Sequence, residues 1–402
     1  MVIAPPCNNP WPMPFTLQQS PVIKPVFHWV SVYAPEQRGG YKSTQANLVQ
    51  ALETKLGSAH RIAPVEVPEE YFGKWMSRLQ KKMRIPRRFA YYSESRLDAF
   101  AEAVHAQLPD NDSKPVVFFN PLPFVKCRPH APYFIYTDGA FFIHYWEYNQ
   151  DHSHAKKDIE RICAAEAEFM RRSAGVWCSS QWVADRITRE YKLRAGLARW
   201  MSIGPDRVPP PVEPVSCENF LVMIAADFAR KGGRLAVEAV AAARKRGVDV
   251  EIKFIGEKPP PDILTLPFVE WRGWLDLRQE PDRRRFAEVL SRAGAQILLS
   301  RSDLTPLVIP EAASYGKATF ATAVGGIPEM IRDGETGWLI RPEATSAEVG
   351  ELIAEIFKES AMLKQAGAAA KIFCAENWSW AATGERCCMD MNVKRQMGSV
   401  SI

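Results

Sequence analysis

Asp303 and Glu311 stand on either side of a helix start, where Pro310 sets the backbone dihedral of the first turn and Gly316 marks the end. An ionised carboxylate only accepts hydrogen bonds, so two acids held together suit the vicinal hydroxyls of a sugar or ribose. The apolar run 295–299 just before them reads as a buried strand, which puts both acids in the crevice at the carboxyl edge of a parallel sheet. A second loop follows a strand over 318–322, where Gly325 and Gly326 expose backbone N–H groups and Pro328 and Glu329 open another helix. Bare amides at a helix start suit a phosphate. Further upstream, the segment Asp227-Phe228-Ala229-Arg230-Lys231-Gly232-Gly233 sets two adjacent cations before glycines at a helix start. Lys231 would otherwise be a surface lysine beside a helix, and Glu311 an acid favouring a helix N-terminus.

Taken in order, these segments resemble the donor-binding region of the family-4 retaining glycosyltransferases, the group 1 glycosyl transferases of the GT-B fold. That family's signature is Glu-x(7)-Glu, a Gly-Gly-x-Pro-Glu loop and an Asp-Gly-x-x-Gly turn. Here the acids are Asp303 and Glu311, the loop is Gly325-Gly326-Ile327-Pro328-Glu329, and the turn is Asp333-Gly334-Glu335-Thr336-Gly337. Asp303 is one methylene shorter than the usual Glu, and Leu304-Thr305-Pro306 replaces the Gly-Phe-Gly that commonly follows it.

The resemblance implies roles residue by residue. Arg230 and Lys231 hold the pyrophosphate of a nucleotide-sugar donor, with Lys231 the leading electrostatic catalyst. The leaving diphosphate gains charge as the glycosidic bond breaks, and fixed cations stabilise that charge most in the transition state. Glu311 takes the ribose and Asp303 the sugar hydroxyls, with Leu307, Val308, Gly325 and Gly326 completing the donor site. Asp138, after a strand over 133–137, is the match for the His or Asp the family places near the anomeric carbon, with His144 six residues on. A lone His among aromatics is otherwise a core residue. Gly39 and Gly40 are expected beside the phosphates or the acceptor, although a plain tight turn explains them nearly as well. Arg272, Gly273 and Trp274 are expected at the nucleobase. Family members need no metal, so no metal or other cofactor is expected beyond the co-substrate.

The elements that must position these residues read as two similar halves. A strand over 26–33, the Gly39-Gly40 loop and a helix from Ser43 with Leu48, Leu52 and Leu56 form one strand, loop, helix unit, stopped by Gly57. Strands over 116–119, 133–137 and 175–178 follow, the last two separated by an amphipathic helix carrying Ile159, Ile162, Cys163, Phe169 and Met170. A Pro-rich segment at 207–214 cannot sit inside a helix or central strand. After it the alternation restarts with strands over 220–224 and 250–255. The chain is thus expected to be α/β, two Rossmann-like doubly wound domains facing a cleft. The segments are a disordered start over 1–24, an acceptor domain over 25–206, a linker over 207–216, a donor domain over 217–376 and a tail over 377–402. The tail, with Trp378 and Trp380, resembles the family's final helix, which crosses back to the first domain.

At 402 residues the chain exceeds one ordinary core, which agrees with two domains. No run approaches the roughly 20 apolar residues of a membrane helix, and the start lacks the order of a signal peptide, so a cytoplasmic protein is expected. Eight scattered cysteines without Cys-x-x-Cys spacing read as free thiols. A net charge of +5 does not point to nucleic acid. Residues 74–88, however, combine Lys74, Arg78, Lys81, Lys82, Arg84, Arg87 and Arg88 with Tyr71, Phe72 and Trp75 close by. That segment is a solvated face or a contact for an anionic membrane. The activity expected from the resemblance is retaining transfer of a hexose-type sugar to a glycan, lipid-linked or small acceptor. The alternatives are a catalytically silent sugar-nucleotide or glycan binder and a GT-B epimerase or phosphorylase. No Gly-x-Gly-x-x-Gly follows a strand, which argues against an oxidoreductase.

Overall fold

The computed structural model describes residues 26–34, 41–63, 67, 89–109, 111–148, 153–205 and 217–398. Gly39, Gly40, the whole Pro-rich linker 207–216 and the basic stretch 74–88 lie outside these residues, as does the segment 1–24.

Two parallel six-stranded sheets organise the chain. The first holds β1 (Phe27–Val30), β2 (Ala59–Arg61), β3 (Val116–Phe119), β4 (Tyr133–Thr137), β5 (Gly175–Cys178) and β6 (Ala198–Trp200), in the order β2-β1-β3-β4-β5-β6. The second holds β7 (Phe220–Ala225), β8 (Glu251–Gly256), β9 (Val269–Trp271), β10 (Ala295–Leu298), β11 (Thr319–Thr322) and β12 (Gly337–Ile340), in the order β12-β11-β10-β7-β8-β9. Every residue of β1, β3, β4, β5, β10 and β11 is buried, because helices cover both faces and make each strand a continuous apolar run.

The helices that matter for the site are α1 (Tyr41–Leu56), α2 (Glu94–His105), α3 (Lys156–Arg172), α4 (Gln181–Glu190), α5 (Gly233–Lys245), α6 (Glu280–Arg292), α7 (Val308–Ser314), α8 (Ile327–Met330), α9 (Ser346–Lys358), α10 (Ser360–Asn377) and α11 (Trp380–Gly398). The last of them lies against α1 of the first domain. Polar contacts fix that crossing: the Trp177 indole N–H donates to Asp390 at 2.9 Å, and the Ser202 and Thr383 hydroxyls meet at 2.9 Å. One apolar cluster runs from Phe27, Leu48 and Trp177 through Leu298, Ile309 and Ile327 to Trp378 and Met391, so the two domains share a core.

Two of the elements read from the sequence differ in ways the local bonding explains. The first strand stops at Val30, because the Ser31 hydroxyl accepts the Tyr33 amide at 3.1 Å and turns the chain locally. The helix read from Pro310 begins at Val308. Proline is still within its first turn, where a missing N–H costs nothing.

Candidate functional site

The strand order of the second sheet reverses between β7 and β10, and the crevice outside the carboxyl ends of strands at such a reversal is where open α/β sheets bind ligands. Arg230 and Lys231 leave β7 there, and Asp303 and Glu311 leave β10. The two loops are stitched together: the Arg301 amide donates to the Arg230 carbonyl at 2.9 Å, and the Arg230 guanidinium donates to the Ser302 carbonyl at 2.9 Å. Asp227 accepts the Arg230 amide at 2.9 Å and shapes the turn.

Within this junction Lys231 is bonded to Asp303, a contact between residues whose exposures are 9% and 5%. The Ser300 hydroxyl donates to the same Asp303 oxygen at 3.0 Å, and Arg230 stands 3.7 Å from it. The expected electrostatic catalyst and the expected sugar-binding acid are therefore partners. Asp303 does not project freely into the crevice as the sequence suggested. One methylene shorter than Glu, it is drawn into the loop by Ser300 and the two cations. An ammonium carries three N–H donors, so Lys231 retains capacity for a second anion. Glu311 is half-buried in the first turn of α7, and its charge lies close enough to Tyr315 to help burial raise that phenol's pKa. Leu307 and Val308 open the same helix, half-buried against the shared core, and the Val308 carbonyl accepts the Gln296 side chain at 3.0 Å.

Of the two glycine amides expected to be bare in the Gly325-Gly326 loop, that of Gly326 is taken. The Gly326 amide donates to the Leu304 carbonyl at 3.0 Å, and the amides of Ile327 and Glu329 are taken by Val324 and Gly326. What the glycines allow is close approach. A Cβ on Gly325, whose φ is 56°, would lie 1.8 Å from the Asp303 carbonyl oxygen, and one on Gly326 would lie 2.2 Å from that of Leu304. The loop thus clamps the Asp303 segment. It also reaches the other domain: the Glu329 carboxylate accepts the amides of Gln181 at 2.7 Å and Trp182 at 2.5 Å, at the start of α4. Burial lifts the pKa of Glu329 above the usual carboxylate range, although both amides pull it down. Alongside, the hydroxyls of Ser179 and Thr305 meet at 2.7 Å, and Leu304 is buried in the core of the first domain.

Facing this junction, Asp138 and His144 come together beyond β4. Asp138 Oδ1 lies 3.4 Å from His144 Nε2, and both side chains are about one-third exposed at 34%. His144 sits in a π-helical turn, Ile143–Tyr148, a geometry often found at functional sites. Burial works against its charged form, but the bond to Asp138 and the charges of Asp138 and Glu166 outweigh it and hold the His144 pKa above its ordinary value. Glu166 was not among the residues singled out from sequence. The signal was there, since 166 lies four residues after Ile162 and three after Cys163, an acid on the apolar stripe of α3.

Arg272, Gly273 and Trp274 follow β9, the edge strand on the β8 side of the sheet. Arg272 is ion-paired to Glu270, and with Glu270, Trp271, Leu275, Arg285 and Val289 it lines a surface cavity of about 260 Å³. Gly273 takes φ 94° and its carbonyl accepts the Gly256 amide at 2.9 Å, tying this loop to the end of β8; Trp274 is 63% exposed. The cavity shares no lining residue with the Lys231 cluster. In the chain's Asp-x-Asp, residues 110–112, Asp112 bonds His28 of β1 at 3.0 Å and Lys114, just before β3, at 2.8 Å. Among the described residues, no group of three or more His, Cys, Asp or Glu could hold a metal ion, and no helix is long and apolar enough to cross a membrane.

Two doubly wound parallel-sheet domains facing a cleft, with cations and acids at a switch point, define the GT-B class. Within it, residues 219–359 match the family model for glycosyl transferases group 1. Among curated relatives, the alpha-maltose-1-phosphate synthase of Mycolicibacterium smegmatis is 27% identical over 198 residues, 44% of this chain and 51% of that protein. The chain thus spans about half the length of that relative. Two solved structures share the fold across nearly the whole chain. Sucrose-phosphate synthase from Thermosynechococcus elongatus has a TM-score of 0.67 at 16% identity, covering 94% of this chain and 100% of that one. Anabaena HepE in complex with UDP and glucose has a TM-score of 0.60 at 13% identity, covering 92% and 100%.

Proposed function

We propose that the protein is a retaining glycosyltransferase that moves a hexose-type sugar from a nucleoside-diphosphate donor to a glycan, lipid-linked or small-molecule acceptor. The observation that carries this reading is the placement of Arg230, Lys231 and Glu311 around the β7–β10 switch point, opposite Asp138 and His144. Arg230 and Lys231 receive the diphosphate, Glu311 the ribose hydroxyls, and the Arg272–Trp274 loop the base. The acceptor oxygen attacks the anomeric carbon on the face the phosphate leaves. The carbon–oxygen bond to the diphosphate breaks, and the hydroxyl proton passes to the departing phosphate oxygen. Lys231 and Arg230 stabilise the charge that develops there, so no metal is required. Asp138 and His144 orient and polarise the reacting sugar.

A panel of nucleotide sugars scored by thermal shift tests the reading: at 100 times its dissociation constant the true donor adds about 2.7 kcal/mol of stability. A panel in which no nucleotide sugar or nucleoside diphosphate raises the melting temperature contradicts it. The Lys231–Asp303 pair favours one second reading, a catalytically silent paralogue that binds sugar nucleotides without turning them over. Release of free nucleoside diphosphate from the stabilising donor separates the two.

A further inference from the structure

Glu166 sits on the inner face of α3 at 1% exposure. Its Oε2 accepts the Phe141 amide at 2.9 Å and the Tyr191 hydroxyl at 2.5 Å, while its Oε1 has no hydrogen-bond partner among the described residues. Phe141 opens the helical turn that carries His144, and Tyr191 closes α4, the helix whose first amides Glu329 holds. A neutral amide would serve both hydrogen bonds. An acid with one oxygen unsatisfied in an apolar layer is the more costly choice, and what it adds is charge. That charge lies within electrostatic reach of His144, on a different element from Asp138.

Accepting the reading that His144 lies at the transfer site, we propose that Glu166 is the positioning residue of that site: it anchors the His144 turn through Phe141 and holds the imidazole's proton through its own negative charge. The groups facing the pair are Asp138 after β4, Tyr191 at the end of α4, Tyr92 before α2 and Cys163 on α3 itself. Burial pushes Tyr92, Tyr191 and Cys163 up, the cysteine to about 12, so these three stay neutral near pH 7. Burial likewise lifts Glu166 to about 7, so its charge changes across neutral pH.

The test is an NMR titration of the His144 ring, assigned by its loss in His144→Gln, in wild type, Glu166→Gln and Tyr191→Phe. Glu166→Gln removes the charge and keeps the shape, so the His144 midpoint should fall by roughly half a unit or more. Tyr191→Phe withdraws the hydroxyl that stabilises the ionised acid, so the midpoint should fall in the same direction by less. The pH profile of turnover should move with it. An unchanged His144 midpoint in both variants, whatever their melting temperatures, overturns the proposal. The titration needs no substrate. A shifted midpoint in a protein that no nucleotide sugar stabilises would therefore leave the Glu166–His144 coupling standing and remove only the glycosyl-transfer reading.

Discussion

Lys231 carries two loads, and they can be separated. Lys231→Ala should cut turnover by about two to three orders of magnitude, through loss of a preorganised cation at the leaving group. It also strands the buried Asp303 carboxylate, which costs on the order of 3 kcal/mol of stability. Lys231→Ala combined with Asp303→Asn should recover most of that stability and none of the turnover. Normal turnover in the single variant, or a double variant no more stable than the single, would contradict this division. Glu311→Gln should weaken the donor and the free nucleoside diphosphate alike, by about 1.5–3 kcal/mol, as calorimetry would show. Equal affinities for both ligands in wild type and variant would remove Glu311 from the ribose. Sequence order brought Arg230, Lys231, Asp303 and Glu311 to one neighbourhood, because loops that follow adjacent parallel strands must meet. The pairing of Lys231 with Asp303 was not legible. It depends on how far one short carboxylate reaches once Ser300 has bonded it, and spacing along the chain carries no such information.

At the scale of elements, the Gly-Gly-x-Pro-Glu loop acts as a brace between domains. The amides of Gly326, Ile327 and Glu329 go to Leu304 and to its own turn, and its carboxylate caps the helix that starts at Gln181 in the other domain. Removing that acceptor leaves two helix-start amides without a partner. Glu329→Ala should therefore speed hydrogen exchange at Gln181 and Trp182 by tenfold or more, the equivalent of about 1.4 kcal/mol of local opening. Unchanged exchange there would show that water or a neighbouring group replaces the carboxylate. The eight inner strands were legible because a sheet buried on both faces writes itself as apolar runs; the four edge strands β2, β6, β9 and β12, short and not fully buried, were not, and neither were helices α2, α4, α6 and α10. The brace was not, since an acid in a first turn reads as a partner of its own helix, and Glu329 instead serves another.

Across the whole molecule, buried titratable groups make stability depend on pH. Glu166, with its pKa lifted from 4.5 to about 7, binds more protons folded than unfolded between those values. Stability should accordingly fall as pH rises from about 4.5 to 7, by up to roughly 3 kcal/mol. His144, also raised, adds stability that is fully present below its unfolded pKa and lost as pH rises through its folded one. His28 works the other way: burial depresses its pKa, so its contribution grows with pH. Glu166→Gln removes the first effect and weakens the His144 contribution with it, so it should flatten the decline. Chemical denaturation at pH 5 and pH 7.5 reads the difference directly, and an equal decline in both proteins would assign it elsewhere. The basic stretch 74–88 gives the second whole-molecule expectation. If it holds an anionic membrane, vesicle binding should fall steeply with salt, and replacing Lys81, Lys82, Arg87 and Arg88 with Gln should abolish it while leaving nucleotide affinity intact.

The central claim is retaining transfer from a nucleotide sugar at the β7–β10 junction. It is tested most directly by proton NMR of the reaction started with the donor that stabilises the protein most. The expected result is release of nucleoside diphosphate with a product whose first-formed anomeric signal matches the donor's configuration, and near-complete loss of both in Lys231→Ala. An inverted product, or a donor left intact by well-folded protein, would contradict the account.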